Sequence, residues 1–231
     1  MNANQSRDYR EIASELEKRL DGDVRFDRYS RLLYATDASI YEIEPIGVVL
    51  PRHKGDVQAV IEIANRFVVP VLPRGGGTSL AGQTVGHAIV LDFSKYMNRV
   101  LEVNREELWC RVQPGLVQDE LNAHVRSMGL LFGPDTSTSN RATIGGMIGN
   151  NSAGAHSIAY GKTLDHVMAL TAYLSDGSEV LINDMSPDEL AVKCQTNGLE
   201  GEIYRVIARL ADDHREEILA RYPKILRRVS G

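Results

Sequence analysis

Cysteines and long apolar runs are scarce in this chain of 231 residues. Its two cysteines, Cys110 and Cys194, lie far apart, which excludes a zinc or iron–sulfur site built from cysteines of this chain alone. We interpret both as packing residues. No apolar run approaches the roughly 20 residues that span a bilayer, and the polar start carries no signal-peptide pattern. We therefore expect a cytoplasmic protein without a transmembrane segment.

An excess of positive charge is also missing. The chain has 26 Lys and Arg against 31 Asp and Glu, for a net charge of -5, which argues against nucleic acid as a partner. Hydrophobic residues make up 43% and charged residues 25%, close to the averages of globular domains. These fractions predict a folded domain with a buried core.

Apolar periodicity predicts alternating helices and strands in the first part of the chain. Apolar residues at helical spacing predict a helix over residues 6–20. A strand over 46–50, a helix over 56–67 and a strand over 68–72 form a βαβ unit. Further elements are predicted as strands over 88–93, 99–103 and 108–112, a helix over 117–127, a hairpin of strands over 167–174 and 179–182, and a helix over 202–222.

This order of elements predicts an α+β protein. We divide it into an N-terminal helical lead-in over residues 1–40, a domain over 41–182 and a helical extension over 183–231. Within the domain we expect a small βαβ subdomain over 41–86 and a larger subdomain over 87–182.

A glycine-rich loop follows the second strand of the βαβ unit. Consecutive glycines allow positive φ and let several backbone N–H groups point toward one anion. Hydroxyl and cationic side chains beside them add donors. We therefore predict an anion-binding loop, rather than a flexible turn, made of Arg74, Gly75, Gly76, Gly77, Thr78, Ser79, Gly82 and Gln83.

A second loop, rich in small and polar residues, runs over 129–161, and connections this long usually carry function. A short helix that opens near Thr143 would aim its N-terminal N–H groups outward. Two such loops separated by a helix indicate a ligand with both charge and length, such as a dinucleotide. The candidate contacts are Pro134, Asp135, Thr136, Ser137, Thr143, Ile144, Gly145, Gly146, Asn150, Asn151, Ser152 and Gly154.

Two common nucleotide fingerprints are absent. The chain contains no strict GxGxxG, which counts against a Rossmann NAD site. The stretch that ends in Gly161-Lys162-Thr163 is not a P-loop, because His156 stands where the first glycine would be.

Three motifs together resemble the FAD-binding fold of FAD-linked oxidases of the PCMH type: PRGGGTSLAGQ over 73–83, PDTSTSNRATIGG over 134–146, and NNSAG over 150–154 followed by Tyr160-Gly161. Within that family the chain is similar to the branch that contains the flavin-binding polypeptide of glycolate oxidase, D-lactate dehydrogenase and D-2-hydroxyglutarate dehydrogenase. It is most similar to the large forms that carry a C-terminal iron–sulfur region. The resemblance implies a fold of two α/β subdomains with FAD between them.

The resemblance also implies roles for the two loops. Residues 74–79, Gly82 and Gln83 would form the pyrophosphate loop, while 134–137 and 143–146 would lie along the diphosphate and flavin. Residues 150–154 would lie near the isoalloxazine, although many relatives have Asn-Ala-Gly-Gly there. The resemblance adds Tyr160 and Gly161 as cofactor contacts and His156 as a further candidate near the flavin. Some relatives attach FAD through a histidine after the loop glycines. Here that position is Thr78, so we expect FAD to be bound non-covalently.

As an enzyme, a member of this branch would take a hydride from the α-carbon of a small 2-hydroxy acid onto flavin N5. No residue of the chain is assigned a catalytic role. The substrate-binding and base residues, and any iron–sulfur cluster, would lie beyond residue 231, so we expect an inactive fragment. The hydroxy acid and the electron acceptor stay open. The alternatives are a UDP-N-acetylenolpyruvoylglucosamine reductase-like flavoenzyme and a non-catalytic nucleotide- or anion-binding module.

Overall fold

A computed structural model describes residues 9–222, which form two compact units over 9–166 and 167–222. All of the predicted site residues lie in the first unit. The start of the helix predicted over 6–20 falls outside the described residues. Within residues 9–222, no helix combines the length and the apolar character needed to cross a membrane.

A four-stranded mixed sheet forms the first half of the first unit. Its strands are β1 (Asp23–Arg25), β2 (Gly47–Leu50), β3 (Val71–Arg74) and β4 (Ile89–Asp92), in the order β1-β2-β4-β3. β1 is antiparallel to β2, whereas β2, β4 and β3 are parallel. Every residue of β2 and β4 is buried, as expected for parallel strands covered on both faces.

Three helices accompany this sheet: α1 (Arg10–Arg19), α2 (Arg28–Leu33) and α3 (Lys54–Phe67). α1 packs against α3. The helix predicted over 56–67 is confirmed as α3. The strand predicted to follow at residue 68 begins only at Val71, because Val68 ends the helix in the left-handed conformation, with φ at 53°.

The predicted βαβ unit is confirmed as β2-α3-β3, but these two strands are not neighbours. β4 lies between them and pairs with both. The sheet therefore extends past the subdomain boundary that the sequence placed after residue 86. Periodicity identifies a strand, but it does not specify which strands it pairs with.

The second half of the first unit combines a hairpin with short helices. The strands predicted over 99–103 and 108–112 pair antiparallel, and their side chains pack on a buried core of Leu116, Leu121, Val125, Ala142, Ile144 and Met147. The elements are β5 (Val100–Asn104), β6 (Trp109–Val112), α4 (Gln118–Arg126), α5 (Ile144–Gly149), α6 (Ser157–Tyr160) and a 3₁₀ turn (Thr163–His166).

The second unit begins with the predicted hairpin, confirmed as β7 (Ala169–Tyr173) and β8 (Glu179–Asn183). The single helix predicted over 202–222 is wrong in part, because non-helical backbone at His214 divides it into two helices. A helix over 187–195, which starts with a capping box at Ser186, was not predicted. The three helices are α7 (Pro187–Gln195), α8 (Leu199–Asp213) and α9 (Arg215–Arg221).

Candidate functional site

The first glycine-rich loop begins at the carboxyl end of β3, the edge of an open α/β sheet where ligands usually bind. Among the described residues, none accepts a hydrogen bond from the backbone N–H groups of residues 75–80. Gly77 adopts a φ of 64°, a left-handed conformation that favours glycine. A row of unpaired backbone donors of this kind suits an anion such as a phosphate.

Two glycines let this loop meet the second loop at close range. A Cβ on Gly75 would come within 3.0 Å of the Thr143 hydroxyl oxygen, a separation that real Cβ atoms essentially never show. A Cβ on Gly76 would come equally close to the carbonyl oxygen of Arg141. The structure therefore brings together the two loops that the sequence identified separately.

Arg74 holds the first loop in place. Its terminal nitrogens donate to the carbonyl oxygens of Tyr34 at 3.3 Å, Thr84 at 3.1 Å and Thr36 at 2.8 Å. A Cβ on Gly77 would lie 2.7 Å from the same guanidinium. Backbone carbonyls thus accept from both terminal nitrogens, while direct donation from Arg74 to a ligand phosphate stays a prediction. Its positive charge still lies beside the unpaired N–H groups.

The Tyr34 side chain fixes the segment whose carbonyl oxygens accept from Arg74. Its hydroxyl donates to a carboxylate oxygen of the buried Asp92 at 2.6 Å, and Asp92 lies opposite Arg74 in the register of β4 and β3. Burial, and then the hydrogen bond to Asp92, raises the pKa of Tyr34 far above its usual value. The hydroxyl therefore stays a donor at neutral pH and ties the lead-in segment to the sheet.

A line of side-chain hydrogen bonds runs from the first loop to the end of α5. The Ser79 hydroxyl donates to the Gln83 amide oxygen. The Gln83 amide nitrogen donates to the Asn150 side-chain oxygen at 3.3 Å, and Asn150 donates to the Ser152 hydroxyl at 3.1 Å. The bond between Gln83 and Asn150 thus joins two pairs of predicted site residues across 67 positions of sequence.

The helix predicted to open near Thr143 is confirmed as α5, and the Thr143 hydroxyl caps it by accepting from Gly146 N–H at 3.3 Å. The expected outward direction of its first N–H groups is wrong. Ile144 and Gly145 instead donate to carbonyl oxygens of the segment 114–116, at 2.8 Å each. The Ile144 side chain is also buried in the core, so this residue stabilises the helix start.

Gln118 at the start of α4 anchors the beginning of the second loop, and sequence reasoning missed it. It is only 2% exposed, its amide nitrogen donates to the Pro134 carbonyl, and its amide oxygen accepts from the Thr136 hydroxyl at 2.8 Å. Gln118 lies on the buried stripe of α4 with Leu121 and Val125. A polar residue on an apolar stripe was the available signal, because a buried amide requires partners.

Asp135 and His156 are hydrogen-bonded to each other across the second loop. The His156 Nδ1 lies 2.5 Å from one Asp135 oxygen, and the His156 backbone N–H donates to the other at 3.0 Å. The hydrogen bond from His156 lowers the pKa of Asp135. Gly154 allows the close approach, since a Cβ there would collide with the Asp135 backbone. Both predicted site residues therefore brace the loop, while the histidine side chain stays 70% exposed.

Thr163 holds the end of the second loop through a hydrogen bond to Ser152. Thr163 is fully buried, and its hydroxyl donates to the Ser152 carbonyl at 2.7 Å. The Asn151 side chain accepts from the N–H of Leu164 at 3.1 Å. Gly161 has a φ of 79°, which supports the turn after Tyr160. These contacts bring residues 151–152 beside the turn at 161–164.

Three predicted site hydroxyls lack a hydrogen-bond partner within the described part of the chain. They are those of Thr78, Ser137 and Tyr160. The described residues contain no group of three His, Cys, Asp or Glu that could hold a metal ion. The arrangement is therefore suited to binding a phosphate-bearing ligand through neutral donors.

A family model described as an FAD binding domain matches residues 45–183. The D-2-hydroxyglutarate dehydrogenase of Pantoea ananatis is 42% identical over 91% of this chain, and that of Escherichia coli is 39% identical over 94%. These alignments cover 21% and 22% of the two relatives, so the chain spans about a fifth of their length.

A solved structure of alkyldihydroxyacetonephosphate synthase matches with a TM-score of 0.69, at 21% identity, over 88% of this chain and 38% of that one. At this identity the likeness concerns the fold, and it confirms the predicted PCMH-type architecture. The family model covers more than half of the residues, including both glycine-rich loops. This protein therefore belongs to the family of FAD binding domains.

Proposed function

We propose that the two loops hold one FAD without a covalent bond, with its diphosphate against the unpaired N–H groups of residues 75–80. The observation that carries this proposal is the meeting of Gly75 and Gly76 with the segment 141–143 beside that row of donors. A side chain at either glycine would occupy this space. A negatively charged diphosphate would satisfy donors that otherwise lack partners.

The surrounding residues divide into two groups in this proposal. Thr78 and Ser137 offer their hydroxyls directly to the cofactor, because neither side chain has another partner among the described residues. Arg74, Asp135 and Ile144 instead position the loops through the contacts described above. Thr78 stands where some relatives carry the histidine that bonds to FAD, which supports reversible binding.

We further propose that the full-length protein oxidises a small 2-hydroxy acid, with D-2-hydroxyglutarate as the first candidate substrate. The support is that both relatives described above carry the name of that dehydrogenase. Bound FAD supplies the hydride acceptor for this chemistry. The described residues contribute the position of the cofactor and the donors for its phosphates. The substrate-binding and proton-accepting residues are not assigned within this chain.

FAD binding is tested by titrating FAD with the purified chain and following flavin fluorescence. We expect saturable binding of one FAD per chain, and its absence in the folded chain would contradict the proposal. The substrate is tested with the full-length protein by anaerobic bleaching of the flavin. We expect D-2-hydroxyglutarate to bleach it faster than D-lactate or glycolate. Reduction by a nicotinamide alone would instead favour the reductase-like alternative.

A further inference from the structure

A second group of exposed cations lies outside the two loops, past the carboxyl ends of β2 and β4. Here five residues line a groove of about 220 Å³. None of them belongs to the predicted FAD loops. We call this surface the Arg52 groove, and its lining consists of Arg52, Tyr96, Arg99, Leu101 and Gln113.

One side of the groove is held rigidly. The guanidinium carbon of Arg52 lies 4.3 Å from the centre of the Tyr96 ring, and a terminal nitrogen donates to the Tyr96 hydroxyl at 3.3 Å. The Tyr96 hydroxyl donates in turn to Asp23 at 3.1 Å. A stacked and hydrogen-bonded guanidinium has already lost much of its rotational freedom, so it binds a ligand with less entropic cost.

The other side offers an unpaired cation. The backbone of Arg99 is fixed because its N–H donates to the Gln113 amide oxygen at 3.0 Å and its carbonyl accepts from Gln113 N–H at 2.9 Å. Its guanidinium, however, donates to none of the described residues. Leu101 beside it is 57% exposed and supplies an apolar surface.

Cations outnumber carboxylates in this region, although the whole chain has a net charge of -5. Two further cations, Arg25 and Lys95, lie next to the groove and donate to the same oxygen of Asp23 at 3.1 and 2.8 Å. These two cations with Arg52 and Arg99 make four, against two carboxylates: Asp23, and the buried Asp56, which accepts from the Arg52 backbone N–H at 2.8 Å. The excess charge would attract an anion to the groove.

We propose that the Arg52 groove is a second ligand site, separate from the FAD loops, for a small organic oxyanion. Arg52 and Arg99 would hold its phosphate or carboxylate group, since planar guanidinium groups suit both. Leu101 and the Tyr96 ring would contact its apolar body. The volume is below the about 300–1,000 Å³ of sites for drug-sized molecules, which limits the ligand to about one ring or a short chain.

The test is a titration of the complete 231-residue chain with phenyl phosphate and with benzoate, followed by NMR of arginine side chains labelled with ¹⁵N. We expect saturable shifts at Arg52 and Arg99 with at least one of the two anions, and the tighter one identifies the preferred oxyanion. Phenol, which has the ring without the charge, should cause no such shifts.

Two substitutions make the assignment specific. Arg52→Gln and Arg99→Gln should each weaken binding about tenfold or more, because each removes a charge-assisted hydrogen-bonding partner. Arg111→Gln is the matched control, since it removes the same charge from the neighbouring strand β6 outside the groove. It should change the affinity by no more than about twofold.

Three outcomes would overturn the proposal. The first is no saturable binding of either anion by the folded chain at millimolar concentrations. The second is an equal loss of affinity in the Arg111→Gln control, which would indicate attraction by net charge alone. The third is displacement of the bound anion by FAD, which would place it at the cofactor loops. The inference does not depend on FAD binding, so a chain that fails to bind FAD leaves it unaffected.

Discussion

Replacing Gly76 by alanine tests directly whether the contact between the two loops forms the cofactor site. The added methyl group would lie within 3.0 Å of the carbonyl oxygen of Arg141. That oxygen belongs to the backbone just before the capped start of α5, so it cannot rotate away as a flexible side chain would. The loops must separate, or the backbone of one must shift.

The size of the effect follows from the cost of inserting a carbon into a filled space. Such overpacking typically costs about 1–3 kcal/mol. If FAD requires the loops in their original contact, that cost appears as a loss of affinity of about 5- to 150-fold. If the apo chain keeps the contact, the same cost appears as a lower free energy of unfolding.

Gly149→Ala is the control for this substitution. Gly149 ends α5, and a Cβ added there would meet nothing within 4 Å. Alanine is the better helix former by about 1 kcal/mol, so this variant should be as stable as the original chain or slightly more stable. Flavin fluorescence titration and urea unfolding without FAD measure both quantities. A folded Gly76→Ala chain with unchanged stability and unchanged FAD affinity would refute the role of the loop contact.

Three further predictions concern single residues. Arg74→Lys should lower the free energy of unfolding by about 1–2 kcal/mol and weaken FAD binding. An ammonium group cannot reach the three carbonyl oxygens that the guanidinium bridges. An unchanged midpoint of urea unfolding would contradict this prediction. The hydrogen bond from Lys95, with those from Arg25 and Tyr96, lowers the pKa of Asp23 from 3.8 to about 2 despite partial burial. Since the folded pKa is depressed, this stabilisation is present above pH 3.8 and is lost as the pH falls toward 2. As the pH falls through this range, the free energy of unfolding should therefore decrease by about 1–2 kcal/mol less in Asp23→Asn than in the original chain. Equal decreases in the two chains would contradict this prediction. Acid precipitation should release FAD into the supernatant, because Thr78 replaces the histidine through which some relatives bond FAD covalently. Flavin that stays with the precipitated protein would show a covalent bond.

Much of the local structure could be predicted from the sequence. The strand Gly47–Leu50, the helix Lys54–Phe67 and the hairpin of β7 and β8 follow from periodicity and turn residues alone. The same holds for the helix that Thr143 caps. These features depend on the conformational preferences of neighbouring residues, which a single sequence displays directly.

The composition of the site was also available from the sequence. Glycines at 75–77 and hydroxyl residues after them indicated an anion-binding loop, and the motifs indicated FAD. The anion-binding inference needs only the backbone freedom of glycine and the chemistry of the donors, whereas FAD came from the resemblance of the motifs to a known family. Contact of the individual residues with FAD remains part of our proposal.

Only the tertiary structure decided which partners the polar groups of the site have. Arg74 donates to backbone carbonyls of residues 34, 36 and 84, and the first N–H groups of α5 donate to the segment 114–116. Buried Gln118 anchors a loop 16 residues further along the chain. In each case the partner lies far away in sequence, and the pairing arises because a buried polar group must find a donor or acceptor wherever packing places one. No local pattern specifies that location, so the sequence determined the elements and their chemistry, and packing determined their contacts.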